Sequence, residues 1–225
     1  MAKKNISEIE AARQENLEQT VSAAEQFLSK NKKTIIYAAC AAVVLGLGIL
    51  AFVKFVYQPS VEEAQQQAYP AEQHFVNGEY ELALNGDGNV LGFADIISEY
   101  GTKSGKAVYF FAGACELNLG NYESAISYLK KYNGKEPILA ARAKAAQGDA
   151  YVGLENYAEA VNCYKAAAAT ADNVFAAEYL LKEGVALEKL GKKAEALVCY
   201  KTIEDKYPNS VEAYDIMKYI GRVSE

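Results

Sequence analysis

His74 is the only histidine in 225 residues, so a histidine-based triad or a multi-histidine metal site has little to build on. The four cysteines, Cys40, Cys115, Cys163 and Cys199, form no C-x-x-C pair and have no metal-ligand spacing. Cys163 and Cys199 stand 36 residues apart at matching repeat places, which suits small buried side chains on matching helices better than a bridged pair. Asn85, Asp87 and Asn89 alternate as in a calcium loop, but the twelfth place, where a bidentate glutamate belongs, holds Ile96. No phosphate-cradling glycine loop and no G-x-S-x-G elbow follows a strand pattern. The many carboxylates are expected on solvated helix faces, because charged side chains are seldom buried. The expectation is therefore no catalytic residue, no cofactor and no metal; the chain does not read as an enzyme.

What the residues do carry is a repeat. Gly113, Gly148 and Gly184 are separated by 35 and 36 residues, and Ala125, Ala160 and Ala196 repeat those two spacings 12 residues further on. Four residues after each alanine comes Leu129, Tyr164 or Tyr200, and 12 after it comes Pro137, Asp172 or Pro208. These columns resemble the tetratricopeptide repeat, a unit of about 34 residues made of two antiparallel helices. Each column has a physical need. Glycine and alanine let the two helices cross closely, the large side chain fills the space between units, and the proline is expected to end the second helix. Asp172 and Leu129 depart from that pattern, and no tryptophan is present.

The elements that position these columns are helices. Alanine, glutamate, lysine and leucine are plentiful, and only 4 prolines occur, which favours helix over a turn-dense β-fold. The expected repeats cover 106–139, 141–174 and 177–210, after an irregular unit at 62–102. In that first unit a helix from Val61 to Val76 breaks at Asn77-Gly78 and ALNGDGN supplies turn chemistry. A closing helix over 211–223 is expected to bury Tyr214, Met217 and Ile220 and to leave Glu212, Asp215, Lys218 and Arg222 in water, as the end of a solenoid requires.

Ahead of the repeats, residues 34–53 carry no charge for 20 residues, and Phe55, Val56 and Tyr57 continue the apolar run beyond Lys54. At 1.5 Å per residue such a helix spans a hydrocarbon core of about 30 Å. The run is longer than a signal-peptide core of about 7 to 15 residues, and no small-x-small cleavage site follows it. A transmembrane anchor over 34–57 is expected. Lys30, Lys32 and Lys33 precede it, whereas Lys54 and then Glu62 and Glu63 follow, so the segment 1–33 should be cytoplasmic and residues 58–225 should lie across the membrane. Ala38, Ala42 and Gly46 recur every fourth residue, as for close approach of a second helix. Residues 5–29 suggest a short surface helix. The region 58–225 holds 16 Lys and Arg against 24 Asp and Glu, a net charge of −8, which excludes nucleic acid as a natural partner.

Stacked repeats present the first helix of each unit along a concave face, and extended peptides or helices lie there. The places facing it, second, fifth, ninth and twelfth in each unit, hold Ala107, Phe110, Ala114 and Leu117, then Arg142, Ala145, Asp149 and Val152, then Glu178, Leu181, Val185 and Glu188. The fifth and ninth places lack the Lys and Asn with which co-chaperones of this repeat class grip a carboxylate. The groove is expected to be mostly apolar, with two occupants open to it: a hydrophobic partner segment, or the chain's own terminal helices.

The order of cytoplasmic segment, uncleaved anchor and repeats, with the segment ALNGDGNVLGFADIISEYG, is similar to the bacterial inner-membrane family of ancillary SecYEG translocon subunits, the YfgM-like proteins. The resemblance implies an all-α protein, an inner-membrane location with a periplasmic repeat domain, and partners among translocon subunits, a periplasmic chaperone and secretory clients. A structural scaffold for another envelope complex is the competing expectation.

Overall fold

The structure, a computed structural model, describes residues 27, 28, 30–170, 173 and 175–224. The surface helix expected over 5–29, most of the segment 1–33, and Asp172 and Val174 of the second repeat lie outside the described residues. The chain divides into two compact units, Met1–Gln58 and Pro59–Glu225.

The apolar run is helical, within helix α1, Lys30–Val76, which is long and apolar enough to cross a membrane and has none of its most apolar stretch buried. A π-helical turn at Val53–Tyr57 interrupts the α-helical ladder, with the N–H of Gln58 bonded to the carbonyl of Val53. Pro59 has no N–H, and its ring crowds the carbonyl four residues back; a wider turn just before it relieves both.

In the second unit every element described is helical. The Gln58–Val76 stretch buries Ala64, Ala68 and Ala71. It is followed by α2 (Tyr80–Asn85), α3 (Phe93–Tyr100) and a 3-10 turn at Gly101–Ser104. Between α2 and α3, Gly86 (φ +70°) and Gly92 lie so close that a Cβ on either would strike backbone atoms of the other arm. The Asp87 carboxylate accepts N–H bonds from Asn89 and Val90 at 2.8 and 2.9 Å. It closes a turn there, and those hydrogen bonds hold its pKa below the usual carboxylate range. The irregular segment then packs its Leu84, Phe93 and Ile96 onto Val108, Ala112 and Cys115 of the first repeat. The short helix α2 was not legible in the sequence, because Asn77-Gly78 and Asn85-Gly86 punctuate both of its ends.

Three helical pairs follow: α4 (Ala107–Asn118) with α5 (Tyr122–Lys131), α6 (Pro137–Gly153) with α7 (Tyr157–Thr170), and α8 (Phe175–Lys189) with α9 (Lys193–Lys206). The glycine column sits where the two helices of each pair meet. A Cβ on Gly113 would fall 2.6 Å from Cγ of Leu129, and one on Gly148 would fall 2.6 Å from the Tyr164 ring. One on Gly184 would strike the Tyr200 ring. The large residue of each repeat thus covers the glycine of its own unit, while Tyr164 also joins the cluster containing Tyr179 and Ala186 of the next. Leu129, Tyr164 and Tyr200 are buried, and each side chain removed from water contributes roughly 1.5–3 kcal/mol.

The hairpin turns also repeat. Gly120, Glu155 and Gly191 occupy the same place with φ of +81°, +56° and +73°, and in each turn the next N–H reaches back to a carbonyl of the first helix, from Asn121 to Glu116, Asn156 to Tyr151 and Lys192 to Leu187.

Two expectations need correction. Pro137 opens α6, and does not end the preceding helix, which stops at Lys131; its missing N–H is harmless at a first helical position. Pro208 follows the end of α9 at Lys206. The closing segment is a 3-10 turn at Glu212–Asp215 and then α10 (Ile216–Ser224). It buries Ile216 and Val223, while Tyr214 is 96% and Met217 63% exposed. The tighter 3-10 turn shifts the helical phase, so the inward stripe runs through Ile216, Tyr219, Ile220 and Val223. Arg222 pairs with Glu188, its Nε 2.8 Å from Oε2, and lies over the Tyr219 ring.

Candidate functional site

The first helices α4, α6 and α8 carry the expected groove residues, and the structure gathers them into two hollows. The larger, about 340 Å³, has aromatic walls from Phe110, Phe111, Tyr179 and Phe75, with Arg142 and Asp149 among its polar lining. The second, about 320 Å³, is lined by Val152, Leu181 and Val185 with Tyr157, Tyr164 and Tyr219. Lys182 borders both. Ala114 and Leu117 line neither; Ala114 is buried, and Leu117 packs against the core around Ala125 and Leu129.

The aromatic walls interlock with one another. Phe75 meets Phe111 edge-on at 5.2 Å between centroids, Phe111 stacks on Phe93 at 5.5 Å, and Phe110 meets Tyr132 at 6.3 Å. Such pairs fix the ring faces in place.

The charges between the two hollows are largely spoken for. The Tyr164 hydroxyl donates to Asp149 at 2.8 Å, Lys182 Nζ donates to the other oxygen of Asp149 at 3.0 Å, and the same ammonium lies 3.1 Å from Glu178. Burial works against the Lys182 charge, but the two carboxylates outweigh it and hold the ammonium above its ordinary pKa. Burial and the Asp149 carboxylate push the Tyr164 phenol well up. Asp149 is thus a structural tie between units two and three. In unit three the Tyr200 hydroxyl donates to Glu188 in the same manner.

Sequence reasoning missed Phe75, Phe111, Tyr179 and Lys182. Phe111 and Lys182 occupy the sixth place of their units, one residue after the fifth, and that column was the available signal. Phe75 precedes the Asn77-Gly78 break and is brought to the groove by the irregular first unit. The segments that flank the repeats contribute to the lining, Phe75 in one hollow and Tyr219 in the other; among the described residues neither hollow is filled by a terminal helix.

Among the described residues no group of three or more His, Cys, Asp or Glu is placed to hold a metal ion. His74 Nδ1 lies 2.6 Å from the Glu79 carboxylate in an exposed pair. Burial pushes the Cys115 and Cys199 thiols up to about 12, which makes them poor nucleophiles at neutral pH.

In Ala38, Ala42 and Gly46, spacing alone places the small side chains on one face of α1, and the space beside Gly46 is open.

Comparison with known families agrees with the helical pairs. A tetratricopeptide-repeat model matches residues 145–211 and a second one matches residues 107–133. No curated protein matches the chain. Tetratricopeptide repeats are present in this chain, and proteins built on such repeats generally serve as non-enzymatic scaffolds that bind other proteins.

Proposed function

We propose that the chain is a membrane-anchored scaffold whose first-helix groove holds a partner polypeptide on the trans side of a bacterial inner membrane, assisting translocation or chaperoning of exported proteins. The observation that carries this reading is the pair of open hollows along α4, α6 and α8, walled by Phe110, Phe111, Tyr179, Val152, Leu181 and Val185. Their apolar walls suit hydrophobic side chains of an extended or helical segment. Lys182 pairs with both Asp149 and Glu178 and offsets part of their charge, with Arg142 lining the same hollow.

The anchor is the apolar part of α1. With Lys30, Lys32 and Lys33 ahead of it and Lys54 alone behind, the amino terminus is cytoplasmic and the repeats are periplasmic. The stripe Ala38, Ala42 and Gly46 offers a face on which a membrane helix of a neighbour packs. Translocon subunits, a periplasmic chaperone and secretory clients are the partners that fit this placement.

A second reading, a structural scaffold for another envelope complex without client binding, is favoured by one feature. Val211, Tyr214 and Met217 recur every third residue across the 3-10 turn and the start of α10 and are strongly exposed, as for contact with a further subunit.

The two readings separate in a capture experiment with the full chain in detergent micelles and a permanently unfolded, apolar secretory polypeptide as probe. Leu181→Arg should abolish retention of the probe while leaving the helical circular-dichroism signal unchanged. Equal retention by the variant contradicts the groove, and no retention by either protein favours the structural scaffold.

A further inference from the structure

The second helices carry a repeated feature of their own. A hollow of about 510 Å³ is lined by Lys130, Gln147 and Cys163, among others, and one of about 330 Å³ by Lys165, Glu183 and Cys199. These residues correspond at the 35- and 36-residue spacing, so the two hollows are the same groove in successive units, each bounded by neighbouring second helices and the first helix between them.

The two copies differ in chemistry. Where the first has Asn133, Lys144 and Asn162, the second has Ala168, Leu180 and Val198. The groove loses three polar groups at the point where an amide, Gln147, is replaced by a carboxylate, Glu183. Glu183 as a residue is 7% exposed. Its side-chain partner is the Cys199 thiol, a weak donor, whereas a carboxylate offers about four acceptor sites. Among the described residues no ammonium or guanidinium lies within ion-pair reach of it; Lys165 on α7 acts on it only from a distance, and Glu195 on α9 repels it. A buried carboxylate whose nearest positive charge is not in direct contact with it is costly, and a cation that reaches it directly would relieve that cost.

We infer that the groove between α7 and α9 is a binding site for a basic side chain of a bound polypeptide. The aliphatic stem of an arginine or lysine lies against Leu180, Leu187 and Val198, and its charged head meets the Glu183 carboxylate. The site is separate from the first-helix groove and does not depend on that groove being occupied.

The test uses the full chain in detergent micelles and a fluorescent peptide, acetyl-Ala-Leu-Arg-Leu-Ala-amide, beside its twin with citrulline in place of arginine. Anisotropy should show the citrulline peptide binding about tenfold more weakly, since a charge-assisted hydrogen bond is replaced by a neutral one. Glu183→Gln, which copies Gln147 of the preceding unit, should bind both peptides equally and weakly. Should that variant fold poorly, Val198→Arg places a guanidinium at the exposed lip and should exclude the arginine peptide from a normally folded protein. Leu181→Arg, which blocks the other groove, should leave binding of the arginine peptide intact. Equal binding of the two peptides by the unaltered chain, an undiminished preference in Glu183→Gln or Val198→Arg, or loss of binding in Leu181→Arg each overturns the inference.

Discussion

At the residue scale, the protein rests on a few places where one atom decides the packing. Gly148 is the sharpest. A methyl group there meets the buried ring of Tyr164 at 2.6 Å, and that ring is tied through its hydroxyl to Asp149, so it cannot swing aside without losing a bond. Gly148→Ala should destabilise the fold by about 1–3 kcal/mol, the usual cost of overpacking, measurable as a lowered midpoint in thermal or urea unfolding.

Glu183 is the opposite kind of residue, a charge where the fold has no ready use for one. Burial raises its pKa above the ordinary carboxylate value, with Glu195 adding to the rise and Lys165 and the Cys199 thiol of the facing helices opposing it. In the window between the unfolded and the raised folded pKa, the folded chain binds more protons than the unfolded chain, so stability falls as pH rises. Glu183→Gln should remove that fall. Unfolding midpoints of the two proteins should draw apart on going from acid to neutral pH, with the variant the more stable at neutral pH. The carboxylates as a class were expected on solvated faces; Glu183 escaped notice because it stands beside Gly184, in a column where the other units have Ala112 and Gln147.

At the scale of elements, the turns and helix crossings follow one plan three times. Two of the three hairpin turns use glycine at positive φ, and the second uses Glu155 at +56°. A non-glycine residue in that conformation costs roughly 1 kcal/mol or more. Glu155→Gly should therefore stabilise the fold by about 0.5–1 kcal/mol once the greater freedom of glycine in the unfolded chain is set against the relief, read as a raised unfolding midpoint. What was legible here was whatever steric necessity repeats. Close crossings demand Gly113, Gly148 and Gly184, and the same necessity spaces Ala125, Ala160 and Ala196. What was not legible depended on local geometry that occurs once. The 3-10 turn before α10 moved Tyr214 and Met217 outward, and Pro137 suited the start of a helix as well as the end of one.

At the scale of the whole molecule, the apolar run and the repeats were plain in the sequence because each is extended and periodic. The candidate groove was half legible. Phe110, Arg142, Asp149, Val152, Leu181 and Val185 border the hollows, while Ala114 and Leu117 do not. The aromatic wall of Phe75, Phe111 and Tyr179 arises from neighbours of those places and from the irregular first unit, where no repeat column exists to point to it.

The central claim is that the first-helix groove holds another polypeptide, and photocrosslinking in native membranes tests it most directly. A photoreactive residue at Val152 or Val185 should attach to a partner protein, and one at the exposed Glu204 on α9 should not. Attachment from Glu204 as strong as from the groove, or none from Val152 and Val185, would contradict the account.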